Sequence, residues 1–179
     1  MRWAWALHSA IIPVLWQPHK PFFPNHYATY PAIAAMKALQ NFYRFHDFGL
    51  LLLRVGIGVM FTVHGYPKLI GGPETWEKVG GVMGLLGIHF APAFWGFLAA
   101  VAEAVGGQLL ALGLFFRVAC LFLLGTMIMA VISHLSQGQG FNDYSHALEA
   151  TFLFAGLFFA GPGRYSVDQM LFPPPRLRY

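Results

Sequence analysis

Four long apolar stretches constrain the fold of this chain more than any other feature. A helix needs about 20 apolar residues to cross the roughly 30 Å hydrocarbon core of a bilayer. Four stretches approach that length, although the last is short: residues 47–69, 92–115, 117–135 and 146–161. They are rich in Leu, Ala and Gly and lack the strict alternation of a membrane β-barrel. The sequence therefore predicts an all-α fold, an integral membrane four-helix bundle.

The composition excludes the main alternatives to a membrane protein. Hydrophobic residues make up 57% of the 179 residues and charged residues only 10%, whereas an average soluble domain has about 25% charged residues. A chain this small cannot bury so much apolar surface away from water, and it is too apolar to be disordered. Its net charge of +4 comes from scattered basic residues, so we expect a lipid bilayer as its partner and no nucleic acid.

The basic residues that flank the spans predict the orientation, because Lys and Arg accumulate on the cytoplasmic side. One side would carry six of them: Lys37, Arg44, Arg117, Arg164, Arg176 and Arg178. The other side would carry only Lys68 and Lys78. Both termini are therefore expected in the cytoplasm. The loop 71–90 is then the larger outer connection, with one short interfacial helix around residues 74–86.

The two ends of the chain differ from its central part. Residues 1–35 contain five prolines and show no clear period. They form a Pro- and aromatic-rich leader that is either an interfacial or disordered arm, or a gene-model artefact that precedes a true start at Met36. Residues 36–171 are interpreted as the four-helix membrane domain, and residues 172–179 as a Pro- and Arg-rich cytoplasmic tail.

Two charged residues fall inside the first two spans, where ionisable groups are costly. Arg54 begins a stripe at helical spacing that continues with Gly58, Phe61, His64 or Gly65, and Lys68. Counted from the outer ends at 1.5 Å per residue, Arg54 lies about 21 Å deep and Glu103 about 18 Å deep. We therefore predict an ion pair between Arg54 and Glu103, which would either fix the helix register or relay protons.

Other residues inside the spans favour close packing. Gly96, Ala100 and Ala104 follow each other at a spacing of four, a pattern that lets membrane helices approach closely. Cys120 is the single cysteine and lies in an apolar run, where a buried thiol is expected. One cysteine excludes an internal disulfide and a thiolate iron–sulfur site.

Several polar side chains are expected at the outer ends of the helices. The predicted topology brings four histidines to this side: His64, His89, His134 and His146. From them we predict a ligand or quinone pocket that consists of His64, Lys68, His134 and Glu149. No HExxH motif is present and the spacing defines no coordination geometry, so no metal site is predicted. The pattern assigns no catalytic residue.

Several segments carry a family resemblance. Residues 52–69, LLRVGIGVMFTVHGYPKL, are similar to the first-helix signature of the DoxX family. The resemblance continues with Glu103, Gly106-Gly107 and Gly113 in the second span, with Met127, Ala130 and His134 in the third, and with the closing sequence GPGRYSVD at residues 161–168. It extends over residues 47–171.

The resemblance implies a small, multi-pass protein of the bacterial inner (plasma) membrane. Members of the family resemble the membrane subunit that is associated with thiosulfate:quinone oxidoreduction, and others take part in assemblies that handle thiol and oxidative stress. It thus implies an accessory or anchor subunit of a quinone-linked oxidoreductase system. Its partners would be an oxidoreductase subunit or a second copy of the chain, and no cofactor is predicted other than quinone as a candidate ligand.

Two alternatives stay open at this point. Instead of an oxidoreductase subunit, the chain would be a small non-catalytic transporter or substrate-binding membrane protein in the first alternative. In the second it would be an assembly factor that docks partner proteins. Whether the chain is itself an enzyme also stays open, because no motif in it assigns a reaction.

Overall fold

A computed structural model describes residues 44–173 of the chain. Over this range the backbone is helical and has no β-strand. The elements are α1 (His46–Ile70), α2 (Gly72–Gly80), a 3-10 helix (Gly81–Leu86), α3 (Pro92–Leu112), α4 (Phe116–Ser136), α5 (Phe141–Ala160) and α6 (Val167–Leu171). The predicted leader, the alternative start at Met36 and residues 174–179 of the predicted tail lie outside the described residues.

Three of these helices are long and apolar enough to cross a membrane: α1, α3 and α4. Their bounds agree with the predicted spans to within three residues. The fourth long helix, α5, has 20 residues but does not reach the same apolarity, because its first half contains Asn142, Asp143, His146 and Glu149. The all-α prediction is confirmed, and so is the presence of several membrane-spanning helices.

The turn between α1 and α3 contains the short helix that the sequence predicted there. The helix α2 packs against α3 so closely that a Cβ atom on Gly80 or Gly96 would collide with the backbone of the other helix. The Trp76 and Phe97 rings meet edge to face with centroids 4.9 Å apart. This contact holds α2 and the following 3-10 helix beside the start of α3.

Glycines bring α1 and α3 into backbone contact. The buried face of α1 contains Arg54, Gly58, Phe61 and Gly65, which confirms the predicted stripe. A Cβ atom on Gly58 would lie 2.5 Å from the carbonyl oxygen of Gly107, and one on Gly65 would collide with the Ala104 backbone. Gly96, Ala100 and Ala104 are all buried on α3. Small residues therefore set the distance between these two helices, as they do in many membrane proteins.

A core of apolar side chains joins α1 to α4 and α5. The rings of Phe61 and Phe154 meet edge to face with centroids 4.8 Å apart. Cys120 and Leu123 of α4 are fully buried in the same cluster. The prediction of a buried Cys120 is therefore confirmed, and the four long helices share one core.

Arg54 lies next to the segment that follows α5, not next to Glu103. Its Nη1 donates a hydrogen bond to the carbonyl oxygen of Pro162 at 2.7 Å, and its Nη2 donates to the carbonyl oxygen of Tyr165. The Arg54 residue is only 2% exposed. The guanidinium thus ties the middle of α1 to the chain after α5.

The predicted ion pair between Arg54 and Glu103 is therefore wrong, since Glu103 binds Lys68 instead. The prediction assumed that the outer ends of α1 and α3 lie level. In the structure Glu103 lies beside Gly65, whereas the Arg54 guanidinium lies beside Gly113. Gly65 is eleven residues further along α1 than Arg54, or about 16 Å. The contact between the two helices, not the distance from their ends, sets the depth of each charge.

Asp168 makes a second set of contacts at the end of the bundle where Arg54 contacts Pro162 and Tyr165. The carboxylate of Asp168 accepts hydrogen bonds from the backbone N–H groups of Phe115 at 2.8 Å and Phe116 at 2.9 Å. An acidic group at a helix N-terminus stabilises it. The Asp168 N–H in turn donates to Gly113 at 2.9 Å. Together with the Arg54 contacts, this docks residues 161–168 onto α1 and the α3–α4 turn.

Replacement of Arg54 by Leu should destabilise the whole bundle. The Arg54→Leu change leaves two carbonyl oxygens without their donors, and each buried unsatisfied group costs about 1–3 kcal/mol. We expect a lower unfolding temperature and less folded protein in mild detergent, measured by fluorescence during a thermal ramp and by size exclusion. Arg164→Leu is the control, because the Arg164 side chain is exposed. Equal unfolding temperatures for the two variants would contradict the assignment.

Candidate functional site

An ion pair between Lys68 and Glu103 joins α1 to α3. The Nζ atom of Lys68 lies 2.6 Å from Oε2 and 2.8 Å from Oε1 of Glu103. The Glu103 side chain is 6% exposed and that of Lys68 is 38% exposed. The indole N–H of Trp76 donates to the Lys68 carbonyl oxygen at 2.9 Å and so holds the end of α1 against α2. A buried carboxylate needs such a partner, because an unpaired buried charge is very costly.

A cavity of about 450 Å³ lies on one side of this ion pair, between α2, the 3-10 helix, α3 and α4. Lys68, Glu103 and His134 line it toward the end of the bundle where α1 and α4 finish and α5 begins, which we call the histidine end. Its walls along α4 run from His134 to Leu121, a rise of about 20 Å. Most of the other lining residues are apolar, so the cavity is elongated and polar mainly at one end.

An apolar groove continues this first cavity along the surface between α3 and α4. It has a volume of about 170 Å³ and shares Leu98, Ala102 and Phe122 with the first cavity. From there it extends to Leu109 and Val118. The groove and the first cavity thus lie next to each other along these two helices.

A second cavity of about 180 Å³ lies on the other side of the ion pair, between α1, α4 and α5. The two cavities share four of their lining residues: Lys68, Glu103, Ala130 and His134. These four residues lie between an elongated, mainly apolar space and a smaller one whose walls contain more ionisable side chains, and we call them the partition. The ion pair is the charged part of that partition.

The structure brings together three of the four residues that the sequence predicted for a ligand pocket. His64, Lys68 and His134 all line the second cavity, whereas Glu149 lines neither cavity and is exposed. The difference follows from the rotation of α5. Ala147 and Ala150 face the core, and Glu149 lies two residues from Ala147, about 200° around the helix.

The predicted pocket left out three residues of this site, of which the sequence had placed His146 at the same end of the bundle. Asp143 and His146 line the second cavity, one helical turn apart and next to the buried Ala147, a spacing that the sequence already contained. Trp95 lines the first cavity, and no single-sequence signal marked it. Of the remaining outer histidines, His89 lines neither cavity and is exposed.

Local hydrogen bonds orient two of the polar residues at the histidine end. The Nδ1 atom of His134 bonds the side-chain oxygen of Gln139 in the loop after α4. Asp143 accepts from the Gly140 N–H at 2.9 Å and so caps the start of α5. Within residues 44–173, no three His, Cys, Asp or Glu side chains lie close enough to hold a metal ion.

Two donors that line the first cavity have hydrogen-bonding capacity left. A Lys ammonium has three N–H donors, and Lys68 directs its ammonium at the two oxygens of Glu103. The indole N–H of Trp95 is buried and has no acceptor in the described part of the chain. Such a donor is unusual in a native structure and calls for an explanation. An acceptor atom on a bound ligand would satisfy it.

Comparisons with known proteins agree on one family. The sequence profile of the DoxX family matches residues 49–135. The inner membrane protein YqjF of Escherichia coli is 28% identical, over 72% of this chain and 95% of its own length. An uncharacterized membrane protein of Mycobacterium tuberculosis is 31% identical, over 68% of this chain and 80% of its own length. Together with the three apolar spans, these relatives identify a multi-pass inner-membrane protein.

A further relative has a name that mentions an activity. The Bacillus subtilis protein named "Putative oxidoreductase CatD" is 36% identical, over 49% of this chain and 60% of its own length. No solved structure matches the chain.

The ion pair can be tested by a double-mutant cycle. Lys68→Met should destabilise the protein more than Glu103→Gln, because it leaves a carboxylate that is 6% exposed without its partner. We expect a loss of about 1–3 kcal/mol for Lys68→Met, less than for a fully buried pair because Lys68 is partly solvated. The double variant should recover part of this loss. Thermal unfolding of the four proteins in detergent measures the coupling.

Lys78→Met provides the control for the loss of a positive charge, because Lys78 is exposed on α2. Its unfolding temperature should stay close to that of the wild type. Strictly additive effects of Lys68→Met and Glu103→Gln would contradict a direct interaction between the two side chains.

Proposed function

Because this chain belongs to the DoxX family of membrane proteins, we propose that it is the quinone-binding accessory or anchor subunit of a membrane oxidoreductase system that acts on thiol- or thiosulfate-type donors. The single observation that carries this proposal is the first cavity. The Lys68–Glu103 pair forms part of its wall, and the apolar groove between α3 and α4 lies beside it.

The dimensions of the first cavity suit an amphipathic molecule. Its volume of about 450 Å³ lies within the range of about 300–1,000 Å³ that is usual for small-molecule sites. Leu121 and Phe122 line it and are about half exposed on the surface of α4, where a membrane protein contacts lipid. A quinone has a compact polar head and a long apolar tail, so the head would bind at the ion pair and the tail along the groove.

The donors at the polar end match the acceptors of a quinone. A quinone head group has two carbonyl oxygens, each of which accepts hydrogen bonds. Trp95 offers a buried N–H that has no protein acceptor among the described residues, and Lys68 has a third ammonium proton beyond the two oxygens of Glu103. His134, which lines the same cavity, supplies a further polar contact.

A subunit role fits the redox groups of the sequence better than an independent enzyme. Cys120 is the single cysteine of the 179 residues, so this chain cannot form an internal disulfide during a two-electron thiol oxidation. The donor's electrons would then reach the quinone through a partner protein. The similarity to a protein named as a putative oxidoreductase supports the same class of reaction.

We further propose that α5 is the fourth span and that both termini are cytoplasmic. Asp143 and His146, two of the polar residues that lower the apolarity of α5, line the second cavity. The Arg44, Arg117 and Arg164 side chains belong to one end of the bundle, and Lys68 and Lys78 to the other. By the positive-inside rule this distribution favours an orientation with the histidine end outside the cytoplasm.

Quinone binding can be measured directly on the purified protein. Decylubiquinone, titrated into the protein in nanodiscs and followed by equilibrium binding, should saturate one site per chain. Gly125→Leu should weaken binding about tenfold or more, because Gly125 lines the first cavity and a side chain there would fill it without a clash.

Gly156→Leu is the matched control for the cavity-filling variant. Gly156 is also a helical glycine whose added Cβ would meet no atom within 4 Å, but it lies on α5 and lines neither cavity. It should bind decylubiquinone like the wild type. Absence of saturable binding, or equal affinity of the two variants, would refute the assignment of the first cavity to a quinone.

The subunit role is tested by co-purification from native membranes in mild detergent. We expect a stoichiometric partner that contains a redox-active thiol or flavin and that reduces decylubiquinone only when this chain is present. A chain that elutes alone, as a monomer or a homodimer, would refute the accessory role. It would favour the alternative of a stand-alone binding or transport protein.

A further inference from the structure

The second cavity differs from the first in its chemistry. Six of its ten lining residues are ionisable: His64, Lys68, Glu103, His134, Asp143 and His146. Three of these are histidines, whose usual pKa lies closest to physiological pH. The first cavity, by contrast, has only three ionisable residues, and they belong to the partition. The two cavities therefore offer different environments to the two faces of the ion pair.

The second cavity also connects the surface with a buried group. His64, Asp143 and His146 are exposed at the histidine end, whereas the Glu103 side chain is 6% exposed. All four line the same space of about 180 Å³. A cavity of this volume with several ionisable side chains in its walls has room for water molecules and offers them hydrogen-bonding partners.

From this arrangement we propose that the second cavity is a water-filled passage for protons. It would connect the aqueous phase at the histidine end with the Lys68–Glu103 pair, while the first cavity opens to the lipid. Glu103 is surrounded by the titratable groups of three helices: Lys68 and His64 from α1, His134 from α4, and Asp143 and His146 from α5. A proton that enters from the water would thus find ionisable side chains in the walls of this cavity.

The passage would supply the protons that the proposed reduction of a quinone consumes. Reduction of a quinone to a quinol adds two electrons and two protons to its two carbonyl oxygens. The two electrons would come from the partner's donor, for example a dithiol that becomes a disulfide and releases its two protons to the water around the partner. The two protons that the quinone takes up would come through the second cavity. This connection rests on the proposed function, but access of water to the second cavity does not.

Silver ions, which are small and soluble in water, can test this access through their reaction with thiols. Ala147 is buried on α5 and lines the second cavity, whereas Ala150 is equally buried one turn further and lines neither cavity. In membrane vesicles of known orientation, Ag⁺ added on the histidine side should block Ala147→Cys at least about tenfold faster than Ala150→Cys, because a thiol without water access reacts only during local opening. Subsequent maleimide labelling in detergent counts the thiols that remain free.

A second pair on α4 keeps the test independent of one variant's folding. Met127 lines the second cavity and Leu123, one turn away, does not. The native Cys120, which is 0% exposed, is the unreactive reference in every sample. Faster block of Ala147→Cys and Met127→Cys than of their partners supports the passage, and the second pair decides alone if Ala147→Cys does not fold.

Equal, slow reaction within the pairs would overturn the passage. The result is separable from the quinone proposal, because the silver assay contains no quinone and Gly125→Leu alters the other cavity. A protein that binds decylubiquinone but excludes Ag⁺ would retain the proposed function and refute the passage. A protein that admits Ag⁺ but does not bind decylubiquinone would support the passage and refute the proposed function.

Discussion

Backbone contact between α1 and α3 is the constraint on which the rest of this structure depends. At Gly58 and Gly65 the two helices approach so closely that no side chain fits between them. This contact determines which residue of α3 lies beside which residue of α1. It places Glu103 within reach of Lys68 and leaves Arg54 beside Gly113. The charged partition and both of its cavities follow from this one helix–helix register.

The charged side chains at the two ends of the bundle make different contacts. At one end the charged side chains of Arg54 and Asp168 form hydrogen bonds with backbone groups. These bonds hold the chain after α5 against α1 and the start of α4. At the histidine end the charges lie around open space, and cavities separate the helices. A bundle that is tied at one end can tolerate such cavities at the other, although cavities and buried polar groups both reduce stability. This asymmetry supports the assignment of the histidine end as the functional one.

The Lys68–Glu103 ion pair both stabilises the bundle and lines the cavities. Without Lys68, the Glu103 carboxylate would be an uncompensated charge in the interior, and with it the two side chains are both neutralised and oriented. The pair also lines both cavities, of which the second has more ionisable side chains in its walls. In the proposed function, a lipid-soluble quinone in the first cavity and water in the second would meet at this pair.

The sequence by itself determined the helices, and tertiary structure decided the site. Length and hydropathy placed α1, α3 and α4 to within three residues, and the helical period identified the buried stripe from Arg54 to Gly65, because both signals are local. The partner of Glu103 and the exposure of Glu149 depended on how helices slide and rotate against each other. Hydropathy does not set those quantities; contacts between distant segments do, such as Gly65 against Ala104 and Arg54 against Pro162.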